Sequence, residues 1–400
     1  MMPERWDVIV VGGGTAGLSA ARSALSEGGK VLLLEMSAHI GPTVHLGSLV
    51  SSDFRFLGKK PVFRRLGEIE LRAPHRELSI NYDRAVVVDQ RRLDEHLAAD
   101  VADHGGEIWL NAPVRDLLVK DGVVKGVRIE AGGWSESIEG EVVIDATGAR
   151  GEMSSLFLRH VIKRGWNRDF LAFSNEYLMA NVKDGKSVEI FFDAYSAPGG
   201  HAWIYPLSSG FAAAGITGLR IHPDAALDEF LGRRKIKKLA RALPIASSRG
   251  QLPLEGPLYQ THSDGILAVG GAAGQVYPLS GEGLLYSLKC GEIAGKVAVD
   301  AVTEGDVSKN RLLEYDRTWR ADFGKEFEVG SILRSSLNVS QDQKMDAIIS
   351  SLEGKPNLQR SFVDVLFGFN LRTSMPKLLK DEDIMKILGK ETTAKLIDWR

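Results

Sequence analysis

Residues 7–17 read Asp-Val-Ile-Val-Val-Gly-Gly-Gly-Thr-Ala-Gly, an apolar run that leads directly into a glycine-rich turn. The β-branched residues 8–11 favour a buried parallel strand, and small helix formers follow the turn. Gly12 permits a tight turn, Gly14 lets the backbone approach a phosphate, and Gly17 lets a helix pack closely on a strand. This pattern predicts a βαβ unit that binds the diphosphate of a dinucleotide at a helix N-terminus.

An acidic residue and a second glycine-rich segment narrow the choice of ligand. Glu35 ends the next apolar run, at the position where a carboxylate accepts hydrogen bonds from ribose hydroxyls. Up to this point NAD fits as well as FAD. Residues 269–283 then read Val-Gly-Gly-Ala-Ala-Gly-Gln-Val-Tyr-Pro-Leu-Ser-Gly-Glu-Gly, and the two segments together indicate bound FAD. The sequence has no further GxGxxG unit followed by an acid, so a nicotinamide donor would lack a Rossmann site of its own.

The composition is that of an ordinary globular protein. With 400 residues, 44% hydrophobic and 26% charged, the chain can form two or three packed domains. The net charge of −2 gives no general reason to expect a nucleic-acid partner, and the single cysteine, Cys290, allows no intramolecular disulfide. No histidine or cysteine spacing suggests a metal site. The first strand begins too early for a cleavable signal, and no apolar run reaches the roughly 20 residues of a membrane span.

One local stretch departs from this charge balance. Residues 233–241 carry six basic side chains, and Ile236, Leu239 and Leu243 are interleaved with them at helical spacing. A helix of this kind can rest on anionic lipid, although a solvated helix face is the favoured interpretation. The expected location is therefore the cytoplasm, with peripheral contact at a membrane as the alternative.

The order of the predicted elements is interleaved. Residues 91–104 form an amphipathic helix, and 114–129 alternate as a β-hairpin does. Strand-like runs broken by turns over 175–218 suit an antiparallel sheet, whereas 36–80 are expected to be a long irregular excursion. The second glycine segment then leads into a helix over 284–302.

This order predicts an α/β fold class: a discontinuous Rossmann-type FAD-binding domain, an antiparallel-sheet substrate domain and a helical C-terminal region. The nucleotide domain is discontinuous because the chain leaves it and re-enters it through the second glycine segment. The predicted boundaries are 1–60, 82–160 and 255–305 for the FAD-binding domain, 61–81 and 161–254 for the substrate domain, and 306–400 for the C-terminal region.

In this order, the motifs resemble those of the geranylgeranyl reductase family, within the flavoproteins related to para-hydroxybenzoate hydroxylase. The resemblance covers most of residues 5–335 and includes Asp145-Ala-Thr-Gly148 and Ser280-Gly-Glu-Gly283. Residues 197–206, Ala-Pro-Gly-Gly-His-Ala-Trp-Ile-Tyr-Pro, are similar to the aromatic-x-Trp-x-aromatic-Pro motif of these reductases. This segment narrows the superfamily to reductases of isoprenoid chains.

The resemblance also implies how FAD is bound. It implies the diphosphate near the first glycine turn, the adenosine ribose at Glu35 and the adenine beside Val114. It implies the isoalloxazine ring between the backbone near Leu46 on one side and the segment from Pro278 to Leu284 on the other. The expected cofactor-binding residues are Gly12, Gly14, Thr15, Ala16, Gly17, Glu35, Leu46, Gly47, Gln90, Arg91, Val114, Gly148, Gly271, Ala273, Gly274, Pro278, Gly283 and Leu284.

Three positions depart from the family pattern. Gly271 replaces the acid that usually follows the first glycine of the second segment, so the ribityl chain loses a charged acceptor. Gln90 replaces an arginine, although Arg91 is adjacent, and Leu46 stands where many members carry a cysteine. Each change would weaken FAD binding by roughly 1 to 3 kcal/mol if its partner stayed buried and unpaired.

The expected reaction is reduction of an isolated alkene. Reduced flavin N5 supplies a hydride, and the protein positions the substrate and excludes water. A prenyl tail requires an apolar channel, for which Phe192, Trp203 and Phe211 are the expected substrate-binding residues. His45 and Tyr205 are the candidate catalytic residues, as proton donors or as groups that orient the substrate.

The leading hypothesis is therefore an FAD-dependent oxidoreductase that saturates C=C bonds of a geranylgeranyl or related prenyl chain. Its partners would be a prenyl lipid and an electron donor, either reduced nicotinamide or ferredoxin. One alternative is an FAD-dependent aromatic monooxygenase of the same superfamily. A second is a degenerate, non-catalytic flavoprotein fold that binds a prenyl lipid or a protein partner, which Gly271 and Gln90 motivate.

Overall fold

The computed structural model describes residues 5–41, 46–51, 63–131, 133–149, 155–183, 185, 187–234, 236–338 and 341–398. Within these residues the strands, in chain order, are β1 Trp6–Val11, β2 Val31–Leu34, β3 Gly47–Ser51, β4 Phe63–Arg65, β5 Glu68–Arg72, β6 Glu77–Asn81, β7 Ala85–Asp89, β8 Glu107–Trp109, β9 Val114–Lys120, β10 Val123–Ala131, β11 Trp134–Asp145, β12 Leu171–Ala180, β13 Ser187–Phe191, β14 His201–Ser208, β15 Phe211–Leu219, β16 Leu243–Pro253, β17 His262–Ser263 and β18 Ile266–Ala268.

The helices within the same residues are α1 Thr15–Ser26, α2 Gln90–Asp103, α3 Pro223–Arg234, α4 Leu284–Glu304, α5 Lys309–Leu337, α6 Gln341–Leu352, α7 Pro356–Phe367, α8 Leu371–Leu378, α9 Glu382–Leu388 and α10 Lys390–Asp398. A π-helical turn covers Leu158–Ile162, and 3₁₀ turns cover Lys237–Leu239 and Gly270–Ala273. No helix in the described ranges is long and apolar enough to cross a membrane.

The first sheet has the parallel core of a nucleotide-binding domain. Its main path is β17-β18-β11-β1-β2-β8, and β1 runs parallel to both β11 and β2. The predicted hairpin is present: β9 and β10 pair antiparallel, and β10 continues onto the long strand β11. The strand β18 lies beside β11, so the second glycine segment starts at the same sheet edge as the first.

Two helices rise from this edge and pack closely through small residues. A Cβ added at Gly291 of α4 would lie 2.5 Å from the carbonyl oxygen of Ala16, and one added at Gly295 would lie 2.3 Å from that of Ala20. The Ser19 hydroxyl donates to the Leu288 carbonyl at 2.6 Å. Glycine in α4 therefore brings α1 and α4 together, and the N-termini of both helices open on one space.

The second sheet carries the reductase-like motif on β14. Its order is β16-β12-β15-β14-β13-β5-β6, and it is antiparallel except for the β13–β5 pair. Trp203 and Tyr205 face the main core with the nucleotide domain, whereas Ala202 and Ile204 face a separate core that includes α3. The two-residue period of β14 therefore directs its aromatic side chains towards the nucleotide domain.

In the described residues of the segment 36–80, which are 36–41, 46–51 and 63–80, the structure has regular strands where the sequence predicted an irregular excursion. The segment contains β3, which pairs with β7, and β5 and β6, which complete the seven-stranded sheet. These strands are at most five residues long, and their neighbours in the sheets include distant segments such as β13. A run this short leaves little alternation to detect, and turn-forming glycine and proline lie around it. The predicted α/β fold class is confirmed, while the domain boundaries stay a prediction.

The basic stretch 233–241 does not form the single helix that its spacing indicated. Helix α3 ends at Arg234, residues Lys237–Leu239 form a 3₁₀ turn, and Leu243 begins β16. Pro244 disfavours helical backbone at the residue before it, and Leu243 pairs instead with Ala180 of β12. Lys235 lies outside the described residues.

Candidate functional site

The first glycine turn brings strand and helix into close contact. Gly12 has φ +113°, and a Cβ there would lie 2.4 Å from the carbonyl oxygen of Ala146. A Cβ at Gly17 would lie 2.0 Å from the carbonyl oxygen of Gly12. Gly14 caps α1 with extended backbone, and a Cβ added there would meet no protein atom within 4 Å. Gly12 and Gly17 thus serve packing, whereas Gly14 leaves space at the helix N-terminus.

Glu35 is held against this turn. It is almost buried at the end of β2, and its Oε2 accepts a hydrogen bond from the backbone N–H of Gly13 at 2.7 Å. Its Oε1 accepts from the N–H of Ser37 at 2.8 Å and from the Ser37 hydroxyl. The carboxylate is therefore fixed at the sheet edge, beside the glycine turn.

An elongated cavity, partly open to solvent, runs along this edge from the glycine turn to α4. From the first half of the chain it is lined by the expected residues Gly12, Gly14, Thr15, Ala16, Glu35, Gln90 and Val114. Gly148, also in the first half, lines it as well, and Gly271, Gly283 and Leu284 line it from the second half. The structure thus brings two segments that are far apart in sequence to one elongated cavity.

Other expected cofactor residues do not line this cavity. Gly17 is a packing residue behind the turn, and Arg91 is exposed on α2. Ala273, Gly274 and Pro278 are buried behind the cavity wall, where Gly274 packs against Trp166. Leu46 and Gly47 lie beside the cavity, and their N–H groups are already engaged by a buried carboxylate described below.

A buried polar network crosses the middle of the cavity. Gln90 donates through Nε2 to the Thr15 hydroxyl at 3.1 Å and accepts from the Ser48 hydroxyl at 3.1 Å. Thr15 in turn donates to Asp94 Oδ1 at 2.6 Å. Burial raises the pKa of Asp94 to about 8, and within the part of the chain that the structure describes its Oδ2 has no hydrogen-bond partner. The arginine-to-glutamine change at Gln90 therefore leaves the glutamine hydrogen-bonded within the network.

A second, smaller pocket adjoins the cavity. Ser48, Leu252 and Gly281 line both spaces. The walls of the second pocket also include His201, Trp203 and Tyr205, whose rings follow one another with centroids 5.5 and 6.0 Å apart. The aromatic motif of β14 thus forms one wall of a pocket beside the expected isoalloxazine end of the cavity. We call it the aromatic pocket.

Glu176, on β12, anchors the backbone next to the aromatic pocket. It is fully buried, and its Oε2 accepts from the N–H groups of Leu46 and Gly47, the latter at 3.3 Å. Its Oε1 accepts from Trp203 Nε1 at 2.6 Å. Burial raises the pKa of Glu176 to about 7, although the hydrogen bonds from these three donors lower it. The carboxylate therefore connects the chain before β3 to the aromatic wall.

Glu282 is an acidic residue that lines the aromatic pocket itself. Its Oε1 accepts from the Tyr205 hydroxyl at 3.5 Å and from the Leu49 N–H at 3.4 Å. Burial raises its pKa to about 8, and the nearby charge of Glu176 acts in the same direction. Glu282 therefore carries a proton at neutral pH.

The remaining expected site residues lie in different places. Phe192 is buried next to the ring of His201, at a centroid distance of 6.2 Å. Phe211 is 40% exposed at the start of β15 and lies in a separate surface depression with Lys183 and Lys238. The structure does not bring Phe211 to the aromatic pocket. His45 lies outside the described residues.

Sequence reasoning missed Glu176 and Glu282 as site residues. Glu176 is an acid within the run Leu-Ala-Phe-Ser-Asn-Glu-Tyr-Leu-Met-Ala, and a charge in a mostly buried strand is an available signal. Glu282 belongs to the quoted Ser-Gly-Glu-Gly segment, which was interpreted only as a flavin-binding turn. Cys290 is buried in α4, and burial raises the pKa of its thiol.

Known proteins share the sequence pattern of this chain over nearly its whole length. Residues 7–155 match the model of the FAD dependent oxidoreductase family. The chain is 31% identical over 392 residues to digeranylgeranylglycerophospholipid reductase 2 of Methanothermobacter thermautotrophicus, covering 94% of this chain and 99% of the relative. It belongs to the geranylgeranyl reductase family. A second relative in this family, digeranylgeranylglycerophospholipid reductase 2 of Methanopyrus kandleri, is 30% identical and spans 98% of this chain and 96% of its own.

The fold of this family member is shared more widely. A geranylgeranyl bacteriochlorophyll reductase-like protein from Thermoplasma acidophilum superposes with a TM-score of 0.81 at 23% identity, over 96% of this chain and 100% of its own. A flavin-dependent brominase gives a TM-score of 0.68 at 16% identity, over 92% and 96%. At these identities the likeness concerns the fold alone. With the family established, the chain is an FAD-dependent oxidoreductase.

The cavity fits FAD. At Gly14 and Gly148, which line it, an added Cβ would meet no protein atom within 4 Å, so the space there is open for a ligand. The N-termini of α1 and α4 both supply partial positive charge to this space. The N-terminus of α1 suits the diphosphate, and that of α4 suits an electron-rich edge of the flavin ring. We expect the residues around Gly14 and Glu35 to hold the diphosphate and ribose, and those around Gly283 to hold the ring.

The substitution Gly271→Asp is expected to increase FAD affinity, because it restores a charged acceptor for the ribityl chain. Gly271 lines the cavity, and a Cβ there would lie 3.3 Å from Gly148 Cα and 3.4 Å from Ala149 N, so a small backbone adjustment is needed. We expect FAD affinity to rise about tenfold. This corresponds to the free energy of one charge-assisted hydrogen bond minus the cost of the backbone adjustment. FAD titration of the apoprotein measures it, with Gly271→Ala as control. Equal or weaker binding of the aspartate variant would show that the position does not face the ribityl chain.

Proposed function

We propose that this oxidoreductase saturates C=C bonds of a geranylgeranyl or related prenyl chain. One observation carries the proposal: the aromatic pocket shares a wall with the FAD cavity and is lined by the reductase-like motif of β14. The names of the two archaeal relatives, both reductases of a digeranylgeranyl lipid, support the same substrate class.

The chemistry is addition of hydride and proton across the double bond. When bound, reduced FAD would supply the hydride and would thereby be oxidised by two electrons, so the protein must deliver a proton to the other carbon of the alkene. The aromatic side chains Trp203 and Tyr205 are buried and present apolar ring surface to the pocket, which suits an isoprene unit. Glu176 fixes the Trp203 ring through its indole N–H, so that one wall of the pocket is rigid.

Glu282 is the proposed proton donor. In the described ranges, the donors that reach its carboxyl group are Tyr205 and Leu49, and both contact Oε1. The proton of the neutral acid is therefore placed on Oε2, which leaves it available to a substrate in the pocket. Tyr205 orients this carboxyl group and contacts the substrate. The sequence suggested that Tyr205 either donates a proton or orients the substrate. We assign it the orienting role and assign the role of proton donor to Glu282.

The test is anaerobic. The holoenzyme is reduced with dithionite, which bypasses the choice between reduced nicotinamide and ferredoxin as donor, and geranylgeranyl lipids are added one at a time. We expect flavin reoxidation without oxygen and a product that gains two mass units for each saturated bond. Reoxidation that occurs only with oxygen, together with a hydroxylated aromatic product, would overturn the proposal in favour of a monooxygenase.

Thr217 distinguishes an apolar substrate from a polar one. It is 2% exposed, lines the aromatic pocket, and its hydroxyl has no hydrogen-bond partner among the described residues. Replacing it with the isosteric valine adds apolar surface, so we expect KM for a prenyl substrate to fall by about two- to fivefold with kcat unchanged. Steady-state kinetics measure this change, with Thr217→Ser as control. A large rise in KM for the valine variant would indicate that the hydroxyl binds a polar group of the substrate.

A further inference from the structure

A group of exposed apolar side chains lies at one end of the seven-stranded sheet. Ala180, the last residue of β12, pairs with Phe211 of β15 on one side and with Leu243 of β16 on the other. Phe211 is 40% exposed, Leu243 is 66% exposed and Ile245 is 57% exposed. Single exposed apolar residues are ordinary, but these lie together across neighbouring strands.

The position of these residues makes their exposure costly. The strand β16, which carries Leu243 and Ile245, is an edge strand of the sheet. Exposed edge strands are usually protected by charged side chains, because unprotected apolar edges pair with other chains. An apolar edge of this kind is expected where another surface covers it.

Basic side chains surround the apolar group, brought there by the backbone. The N–H of Lys183 donates to the Lys238 carbonyl at 3.0 Å, and the Asn181 side chain donates to the Arg241 carbonyl at 3.0 Å. These bonds place the chain after β12 against the 3₁₀ turn Lys237–Leu239 and the start of β16. The basic stretch that the sequence suggested as a helix therefore contributes to a different structure, a rim beside Leu243.

Three cations of this rim are exposed. Lys183, Lys237 and Arg241 form no ion pair with any carboxylate in the part of the chain that the structure describes. Lys238 differs, because Glu189 binds its ammonium group at 2.5 Å. The positive charges next to the apolar group thus form no ion pair among the described residues, and the complementary partner is anionic.

We propose that the surface formed by Phe211, Leu243, Ile245, Lys183, Lys237 and Arg241 binds the face of an anionic lipid bilayer. Apolar side chains enter the boundary between headgroups and acyl chains, and the surrounding cations bind lipid phosphates. The surface lies at the end of β14 and β15, the two strands that carry Tyr205 and Thr217 of the aromatic pocket. Binding there holds the enzyme at a membrane, from which lipids are drawn.

The first test measures vesicle binding by the FAD-loaded full chain. Vesicles of phosphatidylcholine alone are compared with vesicles that contain an equal part of phosphatidylglycerol, by co-sedimentation. We expect binding to the anionic vesicles, with loss at high salt because exposed charges are then screened. Equal binding to both types of vesicle, or to neither, would overturn the proposal.

Charge-reversed variants locate the binding surface. We expect the triple variant to bind anionic vesicles about 100-fold more weakly, at about fivefold for each cation removed. Its substitutions are Lys183→Glu, Lys237→Glu and Arg241→Glu. The control variant has the same change of net charge and reverses three exposed lysines elsewhere: Lys120→Glu, Lys380→Glu and Lys390→Glu. Its affinity for anionic vesicles should fall much less. If the control loses as much as the test variant, only net charge matters and the proposed surface is wrong.

The apolar contribution is tested separately. Leu243→Ser with Ile245→Ser should weaken vesicle binding by about tenfold. The matched control is Val119→Ser with Trp134→Ser, which removes side chains that are 55% and 49% exposed on another sheet. Equal loss in the two variants would contradict the proposal.

These measurements need no turnover, so they succeed or fail independently of the proposed reaction. In detergent-dispersed substrate, the surface variants should saturate double bonds at the parent rate. A different anionic partner would give a different result. If the charge-reversed variant bound vesicles normally but was reduced more slowly by a ferredoxin, the surface would bind an acidic protein and the lipid proposal would be wrong.

Discussion

Replacing Glu282 with glutamine is expected to slow double-bond saturation by about 10²- to 10⁴-fold, the range for loss of a general acid. Glutamine keeps the shape of the side chain and an oxygen that can accept from Leu49 N–H and the Tyr205 hydroxyl. Its amide does not deliver a proton to carbon. The rate to measure is anaerobic flavin reoxidation after mixing reduced enzyme with prenyl lipid, while FAD content and reduction by dithionite should match the parent.

The pH dependence gives this prediction a second readout. Since burial raises the pKa of Glu282 to about 8, the acid is protonated below that pH and loses its proton as the pH rises through it. The parent rate should be level below pH 8 and fall by about tenfold per pH unit above it. The glutamine variant should lack this alkaline fall.

Asp94 provides the control, because burial raises its pKa to about 8 as well. Its carboxyl group contacts Thr15 in the FAD cavity, not the aromatic pocket. Asp94→Asn, measured at saturating FAD, should therefore keep the alkaline fall. Persistence of the fall in Glu282→Gln, or its disappearance in Asp94→Asn, would assign the titration to another group and remove Glu282 from the mechanism. Tyr205→Phe should cost only about tenfold, because the acid is then present but less well oriented.

The parts of the fold that the sequence could predict are those whose signal is local. The first glycine turn follows directly from consecutive residues, and the helix expected over 91–104 is α2, Gln90–Asp103, with Leu93, Leu97 and Val101 buried. The α4 helix likewise starts at Leu284, as expected. In each case strand, turn and helix signals lie within about 20 residues, so that no long-range pairing needs to be known.

The aromatic pocket could not be assembled in this way. Tyr205 and Glu282 are 77 residues apart, and Glu176 contacts backbone 130 residues before it in sequence. The pairing of β12 and β14 with β15 decides which side chains meet, and single-sequence periodicity gives the face of a strand but not its neighbour. A charge in a buried strand marks Glu176 as unusual, yet only the fold shows that Trp203 and the backbone of Leu46 are its partners.

The C-terminal region shows the same limit. Its sequence does not indicate which segments it contacts, yet helix α5 contacts both functional segments. Arg334 of α5 is 2% exposed and donates to the carbonyl oxygens of Pro278 at 3.1 Å and Gly199 at 2.9 Å. Gln341 accepts from the Gly199 N–H at 2.8 Å. The long helix therefore joins the second glycine segment to the loop before β14, and this sets the distance between the FAD cavity and the aromatic pocket.

Placing an aspartate at Gly14 is expected to abolish FAD retention without unfolding the protein. Gly14 has ordinary extended backbone, a Cβ there meets no protein atom within 4 Å, and aspartate is a favourable cap for α1. Its negative charge would occupy the helix N-terminus that we assign to the FAD diphosphate. Repulsion between charges about 4 Å apart near a protein surface corresponds to a loss of affinity of about 10²- to 10³-fold.

The matched control is Gly14→Ala, which adds bulk at the same place without charge and should weaken FAD binding by less than about tenfold. FAD affinity is measured by flavin fluorescence on titration of the apoprotein, and stability by the thermal unfolding of the same preparation. The aspartate apoprotein should unfold at the parent temperature or slightly above it. If the aspartate variant bound FAD as tightly as the parent, the diphosphate would not lie at α1. If the alanine variant lost as much FAD affinity as the aspartate variant, the added bulk and not the charge would be the cause. Only the first result would separate this helix N-terminus from the cofactor, and it would leave the family assignment and the fold intact.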